Sequence, residues 1–272
     1  MITDWNDAYA NGAHIKGADA FPEQWAQCAE EFRARISAEG RSRLDIGYGP
    51  SERERFDVFT PDKPSLGLAV FVHGGYWRAF DKSMWSHLAQ GAVERGYTVA
   101  IPSYTLCPAA SISDITGQIA RAVSQAAGMV AGPVHLAGHS AGGHLVTRLT
   151  CAISPLGQAA AGRLRHVLSI SGLHDLRPLL KTDLNRDLRL DWAEATSESP
   201  ALQTPRDGTR LTAWVGADER PEFIRQSELI ANIWTGCGAE TALVVEPDKH
   251  HFDVIADLTD PDSAIVSHWL SE

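Results

Sequence analysis

Ser140 stands in Gly138-His139-Ser140-Ala141-Gly142-Gly143, after the apolar run 134–137 and ahead of a helix-like run from 144 to 151. The spacing is G-x-S-x-G in a strand-turn-helix setting. A serine hydroxyl becomes a nucleophile only when a base takes its proton and its oxygen stands clear of the backbone. A sharp, strained turn achieves the second condition, and it needs small residues two positions away on either side. The five residues alone would also fit an ordinary turn; their place between a strand and a helix is what points to catalysis. A second element, His73-Gly74-Gly75-Tyr76-Trp77, follows the apolar run 67–72. Paired glycines let a loop turn its N–H groups toward one point without a Cβ in the way, which suits a developing oxyanion. Gly75 and Tyr76 are the loop donors in this reading, with Gly74 shaping the turn, and the Ala141 N–H after the nucleophile is the third donor.

An activated serine also needs an imidazole to accept its proton and a carboxylate to hold that imidazole. Gly216-Ala217-Asp218-Glu219 follows the run 211–215 and offers two adjacent acids, while Lys249-His250-His251-Phe252-Asp253 lies past the last strand-like run and offers two histidines. Spacing alone leaves both pairs open. Tyr76, Trp77 and Tyr104 lie near strand ends that would ring a pocket, so Trp77 and Tyr104 are candidates for substrate contact. Large aromatics of this kind are also commonly core residues with one polar tip.

The elements that must position these groups are short apolar runs at 67–72, 98–101, 134–137, 166–170, 211–215 and 242–245, alternating with segments of helical period near 83–95, 111–130, 141–152, 221–235 and 252–270. Runs apolar on both faces belong to covered strands, and their alternation with helices predicts a mainly parallel sheet wrapped by helices. Ligands bind such sheets at the carboxyl ends of the strands. Segments 43–48 and 55–60 alternate polar and apolar residues around Gly49-Pro50 and read as an antiparallel edge. The first 40 residues read as a helical segment, with Trp25, Cys28, Ala29, Phe32 and Ile36 at helical spacing up to Gly40. Residues 172–208 interrupt the alternation and have the position of a cap-like insertion, in which His174 is a further pocket candidate.

With those residues in view, the chain from about 43 onward resembles an α/β-hydrolase of the hormone-sensitive-lipase-like branch. His73-Gly74-Gly75-Tyr76-Trp77 and Gly138-His139-Ser140-Ala141-Gly142-Gly143 are similar to the kynurenine formamidase (arylformamidase) group, in which Tyr-Trp follows the two glycines where other members often carry a third. Pro102-Ser103-Tyr104-Thr105-Leu106-Cys107-Pro108, Ser171-Gly172-Leu173-His174-Asp175-Leu176 and Glu219-Arg220-Pro221-Glu222-Phe223 belong to the same resemblance. It implies an α/β-hydrolase fold with the order serine, acid, histidine. It places the acid on Glu219, two residues before the proline, although aspartate is commoner there and Asp218 stays as the alternative. The H-F-D pattern selects His251 over His250. The implied enzyme is a serine hydrolase that removes a short acyl group, formyl above all, from an aromatic amine such as N-formyl-L-kynurenine. A broad carboxylesterase or thioesterase uses the same parts, and a binding protein on an inactive hydrolase scaffold is the rival from another class.

Composition agrees with a single globular domain: of 272 residues 44% are hydrophobic and 21% charged. A net charge of -10 opposes a phosphate backbone and argues against nucleic-acid partners. No apolar run reaches the roughly 20 residues of a membrane span, and the start has no signal-peptide pattern, so the expected place is the cytoplasm. The four cysteines are widely separated and read as reduced thiols in packing positions. No histidine cluster has metal-ligand spacing, so neither a metal nor a cofactor is expected. The expected partner is a small ester or amide, and a homodimer is compatible with the reading.

Overall fold

The computed structural model describes residues 2–271. Each apolar run becomes a strand: β3 (Leu68–Val72), β4 (Thr98–Pro102), β5 (Val134–His139), β6 (Leu164–Ile170), β7 (Arg210–Gly216) and β8 (Glu240–Glu246). With β1 (Ser42–Gly47) and β2 (Arg55–Phe59) they form one sheet in the order β1-β2-β4-β3-β5-β6-β7-β8. β1 pairs with β2 and β2 with β4 antiparallel, and all remaining pairs are parallel. This is the expected α/β-hydrolase sheet with its antiparallel edge.

The central parallel strands β3 to β7 are mostly apolar because both faces are covered, whereas edge strand β8 is partly exposed. In β3, Leu68, Val70 and Val72 enter one core cluster while Ala69 and Phe71 enter the other, as a side-chain period of two requires. The helices are α1 (Trp5–Ala8), α2 (Phe21–Ala38), α3 (Gln90–Glu94), α4 (Ile112–Met129), α5 (Ala141–Arg148), α6 (Gln158–Ala161), α7 (Asn185–Leu188), α8 (Trp192–Ser197), α9 (Pro221–Gly236) and α10 (Ala264–Trp269). Helix α2 buries Trp25, Ala29, Phe32 and Ile36, the predicted stripe, but leaves Cys28 exposed. Cys237 is exposed as well, while Cys107 and Cys151 are buried and all four are unpaired, so packing accounts for only two of the thiols.

Two predicted helices are interrupted. Lys82–Ala89 winds as a 3₁₀ helix before α3 begins. In 252–270, the 3₁₀ turn Ala256–Thr259 stops at Asp260, whose extended φ of -98° and ψ of 116° are what a following proline imposes, and Ser263 then caps a fresh start at α10. The insertion after β6 is a series of short helical pieces ending in the 3₁₀ turn Pro200–Leu202, and it returns the chain to β7. Among the described residues no helix is long and apolar enough to cross a membrane.

Candidate active site

The turn after β5 places Ser140 at φ 55° and ψ -116°, a region that L-residues rarely occupy. The backbone is held there by the Ser140 N–H donating to Ile170 O at 2.8 Å and by His144 N–H donating back to Ser140 O at 3.1 Å. Gly142 is compulsory: a Cβ there would lie 1.9 Å from Val72 O, because α5 starts hard against the end of β3. Strain at one serine that faces a cavity, over-determined by its surroundings, is the arrangement a nucleophile requires.

The loop after β3 turns by the same means. Gly75, Tyr76 and Trp77 have φ of 108°, 49° and 56°, and Arg78 and Ala79 N–H groups close the turn on Gly75 O at 3.0 and 3.1 Å. Among the described residues, no acceptor takes the N–H of Gly75, Tyr76 or Ala141. For Ala141 this follows from its place as the first residue of α5, where helix geometry leaves the donor free. Beneath the loop His73 is fully buried, donates through Nδ1 to Gly74 O at 2.7 Å, and is pushed down to about 4 by loss of solvent, so it stays neutral.

His251 and Glu219 meet at 2.6 Å, Nδ1 to Oε2, with side chains 5% and 0% exposed. Since a carboxylate only accepts, Nδ1 carries the proton and Nε2 is left as the basic nitrogen of the neutral ring. The ring is held between Phe223, 4.5 Å away, and His139, 4.6 Å away. Burial first, and the neighbouring His251 second, hold the His139 imidazole well below its ordinary range, so this second ring stays uncharged. The other Glu219 oxygen accepts from the Ser171 hydroxyl at 2.5 Å and the Gly216 N–H at 2.9 Å. Asp218 is exposed, and His250 lies outside the site against Phe21, 3.1 Å from Asp253. Of the two acids and two histidines left open by spacing, Glu219 and His251 are the pair brought together.

Ser140 and His251 open on one cavity of about 670 Å³. They are not hydrogen-bonded to each other among the described residues; such bonds commonly tighten only when substrate is bound. Trp25, Phe80, Trp85 and Phe252 form one wall. Their rings interlock, Trp25 tilted at 41° against Trp85 at 4.8 Å and edge-on to Phe252 at 5.3 Å. Thr182, Asp183, Leu184, Arg186 and Asp187 of the insertion form another, latched to the loop after β3 by Arg78 and Asp187 at 2.5 Å.

Two predicted substrate contacts are corrected. Trp77 and Tyr104 are both 0% exposed and absent from the cavity wall. The left-handed φ of Trp77 turns its ring into the core, edge-on to His144 at 5.1 Å. Tyr104 stacks on His73 at 4.5 Å and donates to His73 O at 3.1 Å, so it supports the loop from below. His174 is likewise buried, 3.2 Å from Ser169. Tyr76 does line the cavity. Sequence reasoning missed Ser171, held at φ 51°, although its place directly after β6 matches that of Ser140 after β5. It also missed the places of Tyr9 and Trp25 on the cavity wall, since Trp25 reads only as part of the α2 stripe and Tyr9 falls in no pattern. Among the described residues no group of three or more His, Cys, Asp or Glu is placed to hold a metal ion.

With this geometry established, comparison with known proteins is informative. The family model described as "Alpha/beta hydrolase family" matches residues 69–268. Kynurenine formamidase from Danio rerio is 27% identical over 288 residues, covering 95% of this chain and 94% of that protein. Its counterpart from Drosophila melanogaster is 27% identical over 234 residues, covering 81% and 78%. Among solved structures, a protein from Silicibacter sp. tm1040 described as a "putative thioesterase" is 47% identical, with a TM-score of 0.94 over 98% of this chain and 99% of that one. Esterase B from Lactobacillus rhamnosis, 16% identical with a TM-score of 0.66 over 90% and 89%, shares the fold.

Proposed function

Because this chain belongs to the alpha/beta hydrolase family, we propose that it is a serine hydrolase that removes a short acyl group, formyl in the first place, from an aromatic amine of the N-formylkynurenine type. The observation that carries this reading is the buried Glu219–His251 pair at 2.6 Å, opening with strained Ser140 on a cavity walled by aromatic rings. Ser140 Oγ attacks the carbonyl carbon while its proton passes to His251 Nε2, and Glu219 holds the imidazolium that forms. The free N–H groups of Gly75, Tyr76 and Ala141 receive the negative oxygen. His251 then gives the proton to the departing nitrogen as the C–N bond breaks. Water, deprotonated by the same ring, releases the acyl group as its acid and restores the serine. No step calls for a cofactor.

Two features support the arylformamide over its rivals. Four interlocked rings offer an apolar, aromatic wall to an aromatic leaving group, and Tyr76 beside the oxyanion donors leaves the acyl side narrow. The second reading, a short-chain carboxylesterase or thioesterase, is favoured by the description of the Silicibacter protein. A coenzyme-type thioester would bring phosphates, yet Arg78 and Arg186 at this cavity are already paired with Asp187 and Asp183. Side-by-side assay decides: N-formylkynurenine is expected to be cleaved with kcat/KM well above that for butyryl or longer esters. Faster turnover of octanoyl than acetyl esters, with no kynurenine released, would overturn the formamidase reading in favour of the esterase.

A further inference from the structure

The stretch Trp5 to His14 lines the cavity and is tied to the loop after β3, to Arg220 and α9, and to the insertion. Asn6, Tyr9 and Asn11 line the cavity itself. Toward the oxyanion loop, Tyr9 O accepts from the Tyr76 hydroxyl at 2.7 Å. Toward α9, the Tyr9 hydroxyl donates to Glu222 at 2.8 Å and accepts from Gln226 at 3.2 Å. Beside the acid, Asp7 bridges Arg220 at 2.5 Å and His14 at 2.7 Å, and Arg220 directly follows Glu219. Toward the insertion, Asn6 donates to the Asp183 carboxylate at 3.2 Å and accepts from its N–H at 2.6 Å.

These ties differ in kind from those of the other walls. Trp25 and Trp85 belong to the buried core, and the oxyanion loop cannot move without losing its donors. Asn6, Asp7 and His14 seat the strap through exposed ion pairs and hydrogen bonds, each weak by itself, while Ala8 and Tyr9 anchor it in the core, Tyr9 being 2% exposed with its hydroxyl between Glu222 and Gln226. The strap's exposed positions can therefore yield, and Tyr9 is its fixed point on the cavity wall. Cavity size is what discriminates among apolar acyl chains.

We propose that the Trp5–His14 strap is the specificity-determining wall of this site, with Tyr9 the residue that limits how long a group can be accepted. The proposal rests on the serine hydrolase reading. Strap and catalytic parts are separable: Tyr9 lines the same cavity as Ser140 but is bonded to none of Ser140, His251 and Glu219, so its truncation enlarges that cavity while leaving nucleophile, base and acid in place. Long acyl chains then enter, and short ones gain nothing.

The test compares p-nitrophenyl octanoate with p-nitrophenyl acetate in full-length Tyr9→Ala, Asp7→Ala and Ser140→Ala proteins. The octanoate/acetate ratio of kcat/KM is expected to rise at least tenfold in Tyr9→Ala and several-fold in Asp7→Ala, where the bridge to Arg220 and His14 is cut. General loss of stability lowers both substrates together and leaves the ratio unmoved. If Tyr9→Ala does not fold, Asp7→Ala carries the test, since Asp7 is exposed. An unchanged ratio in the folded variants, with Ser140→Ala inactive, overturns the strap proposal alone. Activity retained in Ser140→Ala overturns the hydrolase reading beneath it.

Discussion

In the proposed mechanism the two oxygens of Glu219 have separate tasks. Oε2 holds the His251 tautomer, and Oε1 is fixed by Ser171 and the Gly216 N–H. Glu219→Gln replaces the acceptor on Nδ1 with an amide and should lower turnover by about 10⁴, whereas Asp218→Asn, altering an exposed group, should change it little. Kinetics on both purified variants check this, and the reverse ranking would move the acid to Asp218. Ser171→Ala removes one hydrogen bond to a charged carboxylate, worth about 1.5–3 kcal/mol, so turnover should fall roughly 10- to 100-fold with KM nearly unchanged. The sharp turn at Ser140 was legible in the sequence because its small neighbours are fixed by local geometry, while the resemblance, not spacing, selected His251 over His250. Ser171, Tyr9 and Trp25 were not legible, because their roles arise from contacts with residues far away in the chain: Ser171 reaches Glu219 across 48 positions. Trp77 and Tyr104 were misjudged for the complementary reason. Position near a strand end says which layer a ring lies in, and the backbone torsion, unreadable from type, decides which way it points.

Among elements, the central strands were legible because a run covered on both faces admits mainly apolar residues, and β1 and β2 through the alternation of a half-exposed edge. Helices were less so, since proline breaks and 3₁₀ winding depend on single residues such as Pro261, and a four-residue helix such as α1 has no periodicity to read. The elbow between β5 and α5 gives an element-scale prediction from one substitution made twice. In Gly142→Ala the new methyl meets Val72 O at 1.9 Å, so β3 and α5 must part. Stability should drop by more than about 3 kcal/mol, the size of severe core damage, or soluble protein should be lost. In Gly128→Ala, within α4, nothing lies within 4 Å of the new Cβ. There the helix preference of alanine should add about 0.5–1 kcal/mol. Urea midpoints of the two variants against the parent check both signs, and equal effects would contradict the packing argument.

For the molecule as a whole, the sheet buries an unusual set of neutral imidazoles. His73, His135, His144 and His174 are 0% exposed and His139 4% exposed. Burial pushes His73 and His135 down to about 4 and His144 and His174 to about 3, and holds His139 well below its ordinary range. Once unfolded, each returns to near 6.5 and binds a proton that the folded protein refuses. Stability is therefore complete above about pH 6.5 and falls as pH drops from there toward 4, by up to about 1.4 kcal/mol per pH unit for each group. Asp81 and Asp175 act in a different window. Their carboxyls are lowered against the opposing effect of burial, by Ser83 and by Arg177 respectively, so what they contribute is lost only below about pH 4. The histidine window comes first on acidification. A typical domain holds only about 5–15 kcal/mol in total, so several such groups acting together can exhaust it well before the carboxylates titrate. Urea unfolding from pH 8 to pH 4.5 should give a midpoint level above about 7 and falling steeply below 6.5. The slope near pH 5.5 should correspond to more than two protons taken up on unfolding. A midpoint that stays level down to pH 5 would mean that these imidazoles have partners or solvent in solution that their burial denies them here.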